Sequence, residues 1–161
     1  MALNAIVVSD STTLITLINI KKFEILFKFS DTIMIAKAVY DEVSIRLEAK
    51  NILKEYINQG KVIVQNIDNY SEVKILLNRL DLGESESIVL AAKKKIPLII
   101  DEKKGKSIAK SLGLDTIGLI GILLLFKEKE LLSLNEIENI VGMLQKSKFR
   151  VSTSLLELLL K

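Results

Sequence analysis

Five short apolar runs, none longer than seven residues, punctuate the chain, and longer stretches of helical spacing fill the intervals between them. The runs are Leu3–Val8 (LNAIVV), Asp31–Ala36 (DTIMIA), Lys61–Ile67 (KVIVQNI), Ile96–Asp101 (IPLIID) and a brief LDTIG at 114–118. Their apolar residues follow one another instead of alternating with polar ones, so each run predicts a strand buried on both faces. Strands of that kind, each followed by a helix, have one common solution: a parallel sheet with helices on both sides. The expected fold is therefore α/β, a three-layer α/β/α arrangement around a central parallel sheet of four or five strands. At 161 residues with 49% hydrophobic content, one domain spanning 1–161 has enough apolar surface to fill its core.

Helical spacing is expected over Thr12–Ile20, Phe23–Phe29, Lys37–Asn58 with a break near Arg46–Lys50, and Ser71–Arg79. It recurs from Gly83 to Lys95, and over Lys103–Leu112, Ile120–Lys129, Leu134–Lys146 and Ser154–Leu160. The stretch TIGLIGILLLF is apolar enough to suggest a membrane. Its uncharged core is well short of the ~20 residues a spanning helix needs, so it reads as a buried helix. With no charged leader followed by an apolar segment, and with no cysteine, the expected home is the cytoplasm and no membrane is expected.

The chain contains neither cysteine nor histidine. Thiolate zinc sites are excluded, and so is the usual general base. An active site built here must use carboxylates, hydroxyls and cations, and oxygen ligands suit hard ions such as magnesium or manganese. The net charge of +3 permits a nucleic-acid partner without demanding one.

Two apolar strands end in a carboxylate: Asp10 after the first, and Asp101, followed by Glu102, after the fourth. Either acid could simply cap the next helix. In a parallel sheet, however, two strands that end alike bring their last residues to the same edge. Glu84 and Glu86 begin the helix ESESIVLAAKKK. Asp81 and Glu84 have capping-box spacing, yet Glu84 shares a helical face with Ile88, Ala91 and Ala92. Glu86 lies about 200° round the helix, which narrowly favours Glu84 for any shared site. Glu42, in AVYDEV, has the spacing for a surface ion pair with Arg46. Were these acids to converge, each pair at 4 Å would repel by on the order of 4 kcal/mol at an effective dielectric of 20. Convergence then calls for a divalent cation; otherwise the acids stay apart.

The motifs VSDSTTLITL, AVYDEV, LGESESIVLA, PLIIDEKKGKSIAKSLGL and TIGLIGILLL follow one another from Val8 to Leu125, within a pattern that covers roughly Ile6 to Leu160. In this order the chain resembles the PIN-domain proteins, in particular a prokaryotic branch with a GE-x-E helix and an acidic pair before a basic helix. The resemblance implies a Mg2+- or Mn2+-dependent endoribonuclease acting on single-stranded RNA. It also implies the toxin role of a toxin–antitoxin pair, a small antitoxin as partner, and a homodimer or higher homo-oligomer. Carried over by position, Asp10 is the first ligand, Glu42 the second acid, Glu84 or Glu86 the third, and Asp101 or Glu102 the fourth. Asp10, Glu42, Glu84 and Asp101 would be catalytic. Asp10, Asp101, Glu84, Glu86 and Glu102 are the candidate metal ligands. Ser11 and Thr12 would touch a ligand water or a phosphate, and Lys103, Lys104, Lys106 and Lys110 would grip the RNA backbone. The chain departs from the family pattern twice: the third acid is Glu where catalytic toxins often have Asp, and Ile100 stands where a Thr or Ser usually precedes the last acid. Two alternatives are a catalytically inert module of the same fold that binds RNA or a protein, and an aspartyl phosphatase of the haloacid dehalogenase type. The latter needs a second acid two residues after the first, where this chain has Thr12.

Overall fold

The computed structural model describes residues 2–161. Five parallel strands form one sheet in the order β3-β2-β1-β4-β5: β1 Asn4–Ser9, β2 Ser30–Ala36, β3 Val62–Gln65, β4 Leu98–Ile99 and β5 Thr116–Ile117. The chain moves outward from β1 to β2 to β3, then returns to the other side of β1 for β4 and β5. The order therefore reverses at β1, and a crevice opens beyond the carboxyl ends of β1 and β4. Register aligns those ends, since Ser9 lies opposite Ile99 and Val8 lies opposite both Met34 and Leu98.

Ten α-helices complete the α/β/α layers among the described residues: α1 Ser11–Asn19, α2 Leu26–Phe29, α3 Lys37–Val43, α4 Leu47–Asn58, α5 Ser71–Leu76, α6 Leu82–Lys94, α7 Lys103–Ser111, α8 Leu119–Glu128, α9 Leu134–Lys146 and α10 Thr153–Leu160. The single helix expected at 23–29 is a 3-10 turn, Phe23–Ile25, running into α2. The break in the long helix falls at Ser44–Arg46, at the start of the expected interval. There Arg46 is extended (φ −89°, ψ 128°) and its guanidinium donates to Asn19 of α1, which takes the chain out of helical geometry. β4 is shorter than the run IPLIID suggests, so Asp101 lies two residues beyond the strand.

Helix α6 packs against β1, β2, β4, α3, α5 and α7. Every residue from Ser85 to Ala91 is buried, which explains the small residues on its faces. Asp81 caps α6 and forms a reciprocal capping box with Glu84. Helix α8 carries the apolar TIGLIGILLLF run and buries Leu119, Ile120, Ile122, Leu123 and Phe126. No helix among the described residues is long and apolar enough to cross a membrane. Helix α10 folds back onto α8 and α9 and buries Leu159.

Candidate functional site

Because β1 and β4 are adjacent, the chain leaving β1 at Asp10 meets the chain leaving β4. The amide of Asp10 donates to the Ile99 carbonyl at 2.9 Å. In return the Asp10 carboxylate accepts two backbone N–H bonds, from Thr13 to Oδ1 at 3.0 Å and from Asp101 to Oδ2 at 2.9 Å. Asp10 is thus the N-cap of α1 and also the anchor for Asp101, two residues beyond β4. The Thr13 hydroxyl donates to Asp101 Oδ2, while Asp101 Oδ1 accepts from the Leu119 amide at the head of α8 at 2.9 Å. One threonine therefore bridges both aspartates. Thr13 is buried and was not among the residues expected at the site. Its only signal in the sequence is its place three residues after Asp10, where an N-cap partner belongs.

Burial of Asp10, and secondarily the charge of Asp101, push its carboxyl up to about 7, against the lowering effect of the Asp101 and Thr13 hydrogen bonds. Glu84 is likewise raised to about 7, by burial first and the Asp81 charge second. Glu84 Oε1 accepts from the Asp81 amide at 3.3 Å in the capping box. Its Oε2 is buried without a hydrogen-bond partner. Gly105 leaves the space this oxygen occupies, since a Cβ there would lie 3.1 Å from it.

Two cavities open at this edge. The first, of about 390 Å³, is lined by Asp10, Ser11, Thr12, Glu42, Arg46, Asp81, Glu84 and Glu102, among others. The second, of about 540 Å³, is lined by Asp101, Glu102, Lys106, Gly118, Lys148 and Arg150, among others. Thr12 and Glu102 line both, so the cavities meet there. The expected residues are thereby sorted. Asp10, Glu42, Glu84 and Glu102 share the first cavity, and Asp101 faces the second. Glu86 lines neither; it is buried and its Oε1 accepts from the Ala38 amide at 3.1 Å, closing the first turn of α3. Glu42 makes no ion pair with Arg46, whose ionic partner is Glu48 at 3.7 Å. Glu102 caps α7 through the Gly105 amide at 2.9 Å. Lys103, Lys104 and Lys110 are exposed and line neither cavity, whereas Lys106 lies beside Asp101 without an ion pair.

Among the described residues, the metal-ligating side chains around the first cavity offer oxygens only, and Arg46 is the one cation in its lining. That chemistry fits a hard divalent ion, and the partnerless Glu84 Oε2 is an oxygen such an ion would satisfy. Among the described residues, however, no three acids are drawn together closely enough to enclose an ion.

Comparison with known proteins yields no match among curated proteins. A solved structure described as a PilT N-terminus domain protein from the hyperthermophilic archaeon Sulfolobus solfataricus P2 is 18% identical and superposes with a TM-score of 0.49, covering 73% of this chain and 89% of that one. The profile of the family described as DUF3368, PIN domain, matches residues 6–161, which takes in every strand but the first two residues of β1, and every helix. With a match of that extent, the chain belongs to the PIN-domain family.

Proposed function

We propose that this protein is a metal-dependent endoribonuclease cleaving phosphodiester bonds in single-stranded RNA, and that it serves as the toxin of a toxin–antitoxin pair in the cytoplasm, as a homodimer or higher homo-oligomer. The observation that carries this reading is the Asp10–Thr13–Asp101 linkage at the reversal of strand order, with Glu42, Glu84 and Glu102 around the adjoining cavity. Asp10, Glu84, Asp101 and Glu102 would hold Mg2+ or Mn2+. When bound, such an ion lowers the pKa of a coordinated water and offsets charge on the phosphoryl oxygens.

The chain's own residues supply the rest. Thr13 fixes both aspartates, so neither has to reorganise when substrate arrives. Glu42, exposed in the cavity lining, would accept a proton from the attacking water. Ser11 and Thr12, in the first turn of α1, offer hydroxyls and the positive end of the helix to a phosphate. The raised pKa values of Asp10 and Glu84 mark two carboxyls that carry charge at a cost, as groups awaiting a cation do.

The alternative, an inert module of the same fold, draws on the absence of three gathered acids among the described residues. Glu84→Gln separates the two readings, because the free Oε2 has no protein partner to lose. An endoribonuclease shows Mn2+-dependent cleavage of single-stranded RNA in the wild type, together with calorimetric heat on Mn2+ addition, and both fall in the variant. Wild-type protein that gives neither cleavage nor heat is the inert module.

A further inference from the structure

The second cavity differs in sign from the first. Its lining brings Lys106 of α7 together with Lys148 and Arg150 from the segment between α9 and α10. None of these three cations makes an ion pair or a side-chain hydrogen bond among the described residues, where the ion pairs are Lys37–Asp41 and Arg46–Glu48. The first turns of α8 and α10 face the same space, through Gly118, Ile120 and Gly121 on one side and Ser152 and Leu155 on the other. Both present the positive ends of helix dipoles. Of the two acids in this lining, Glu102 lies at the junction with the first cavity, and Asp101 sits beside Lys106, held by the Thr13 hydroxyl and the Leu119 amide. Phe149, between Lys148 and Arg150 in the sequence of this strap, adds an aromatic side chain to the lining.

From this arrangement we infer that residues 148–152, with Lys106, form the track for the phosphodiester backbone of single-stranded RNA, leading it across Thr12 and Glu102 into the acidic cavity. The inference rests on the nuclease reading and extends it to a segment remote in sequence from every acid of the site. Three unpaired cations and two helix N-termini converge on one groove, and a polyanion is the ligand whose repeated charges neutralise them together. The half-buried Phe149 suits the stacking of a base exposed in a single strand.

The test is fluorescence anisotropy with a fluorescein-labelled single-stranded oligouridylate in EDTA across a salt series, comparing wild type with Lys148→Glu/Arg150→Glu. Both side chains are exposed, and an unchanged thermal transition in the variant verifies its fold. The variant is expected to bind on the order of tenfold more weakly, with a slope of log K against log salt reduced by about 1.4 from two lost phosphate contacts. Equal affinity and slope overturn the proposal, as does a wild type that binds no oligouridylate. Displacement of the oligouridylate by poly-glutamate as readily as by unlabelled poly-uridylate also overturns it, and points to an acidic protein segment instead. Cleavage is not part of this readout. A wild type that binds through the strap and fails to cleave with Mn2+ refutes the nuclease reading and leaves the RNA track standing.

Discussion

Replacing Gly118 with alanine probes the site without touching an acid. Gly118 caps α8 in an extended conformation (φ −98°, ψ 175°) that alanine adopts freely. On backbone grounds the substitution would therefore be mild, or even stabilising by about 0.4–1 kcal/mol through the unfolded chain. Its environment says otherwise. A Cβ at 118 would lie 2.6 Å from Asp101 Oδ1 and 3.0 Å from Lys106 Nζ. The lysine can swing away, but the carboxylate is held between the Leu119 amide and the Thr13 hydroxyl. Restoring van der Waals distance requires a displacement of roughly 0.8 Å, enough to break one or both of those bonds. Each hydrogen bond to a charged group contributes about 1.5–3 kcal/mol, and water returns part of it because Asp101 is half-buried. The net expectation is a loss of about 2 kcal/mol, read by urea denaturation, or a fall in Tm of about 4–8 °C for a chain of this size. Gly142→Ala is the control. It lies within α9 with nothing inside 4 Å of the added Cβ, so it should stabilise by up to about 1 kcal/mol. Unchanged or raised stability of Gly118→Ala would refute the claim that Asp101 is pinned.

Two further outcomes follow from the same geometry. In metal-free buffer, Asp10 binds its proton more tightly when folded, with a pKa of about 7 against an unfolded 3.8. Its contribution is therefore complete below pH 4 and is lost as pH rises to about 7, by up to on the order of 4 kcal/mol. Urea midpoints in EDTA should fall across that window and Mn2+ should restore them, whereas midpoints that rise with pH would contradict the burial of Asp10. For Glu86, alanine should cost about 2–4 kcal/mol by leaving the Ala38 amide unpaired and a void in the core. Glu86→Gln keeps the acceptor and should leave both fold and Mn2+ binding intact; a loss of Mn2+ binding equal to that of Glu84→Gln would move the ligand role to Glu86.

The parallel sheet was legible in the sequence because its strands are buried on both faces and write themselves as unbroken apolar runs. The meeting of Asp10 with Asp101 was legible for the same reason, since aligned strand ends in one register leave little freedom for the residues just beyond them. Helix geometry favoured Glu84 over Glu86 only narrowly, because the Ala38 amide that engages Glu86 belongs to another helix and leaves no periodic trace. The partition of the acids between two cavities was not legible, because it depends on which way each side chain leaves the edge. Lys148 and Arg150 were invisible for a further reason. Their place beside Asp101 is set by α10 packing on α8 and α9, a contact no local spacing encodes.

The double acceptance at Asp10 bears on how any variant there is interpreted. Both of its oxygens face amide hydrogens, one from Thr13 in the next helical turn and one from Asp101, 91 residues further along the chain. Asparagine would turn an NH₂ toward one of those hydrogens, setting donor against donor in a dry environment. The customary amide swap would then unlatch the edge of the sheet as well as remove a charge, and a dead enzyme carrying it would say little about chemistry.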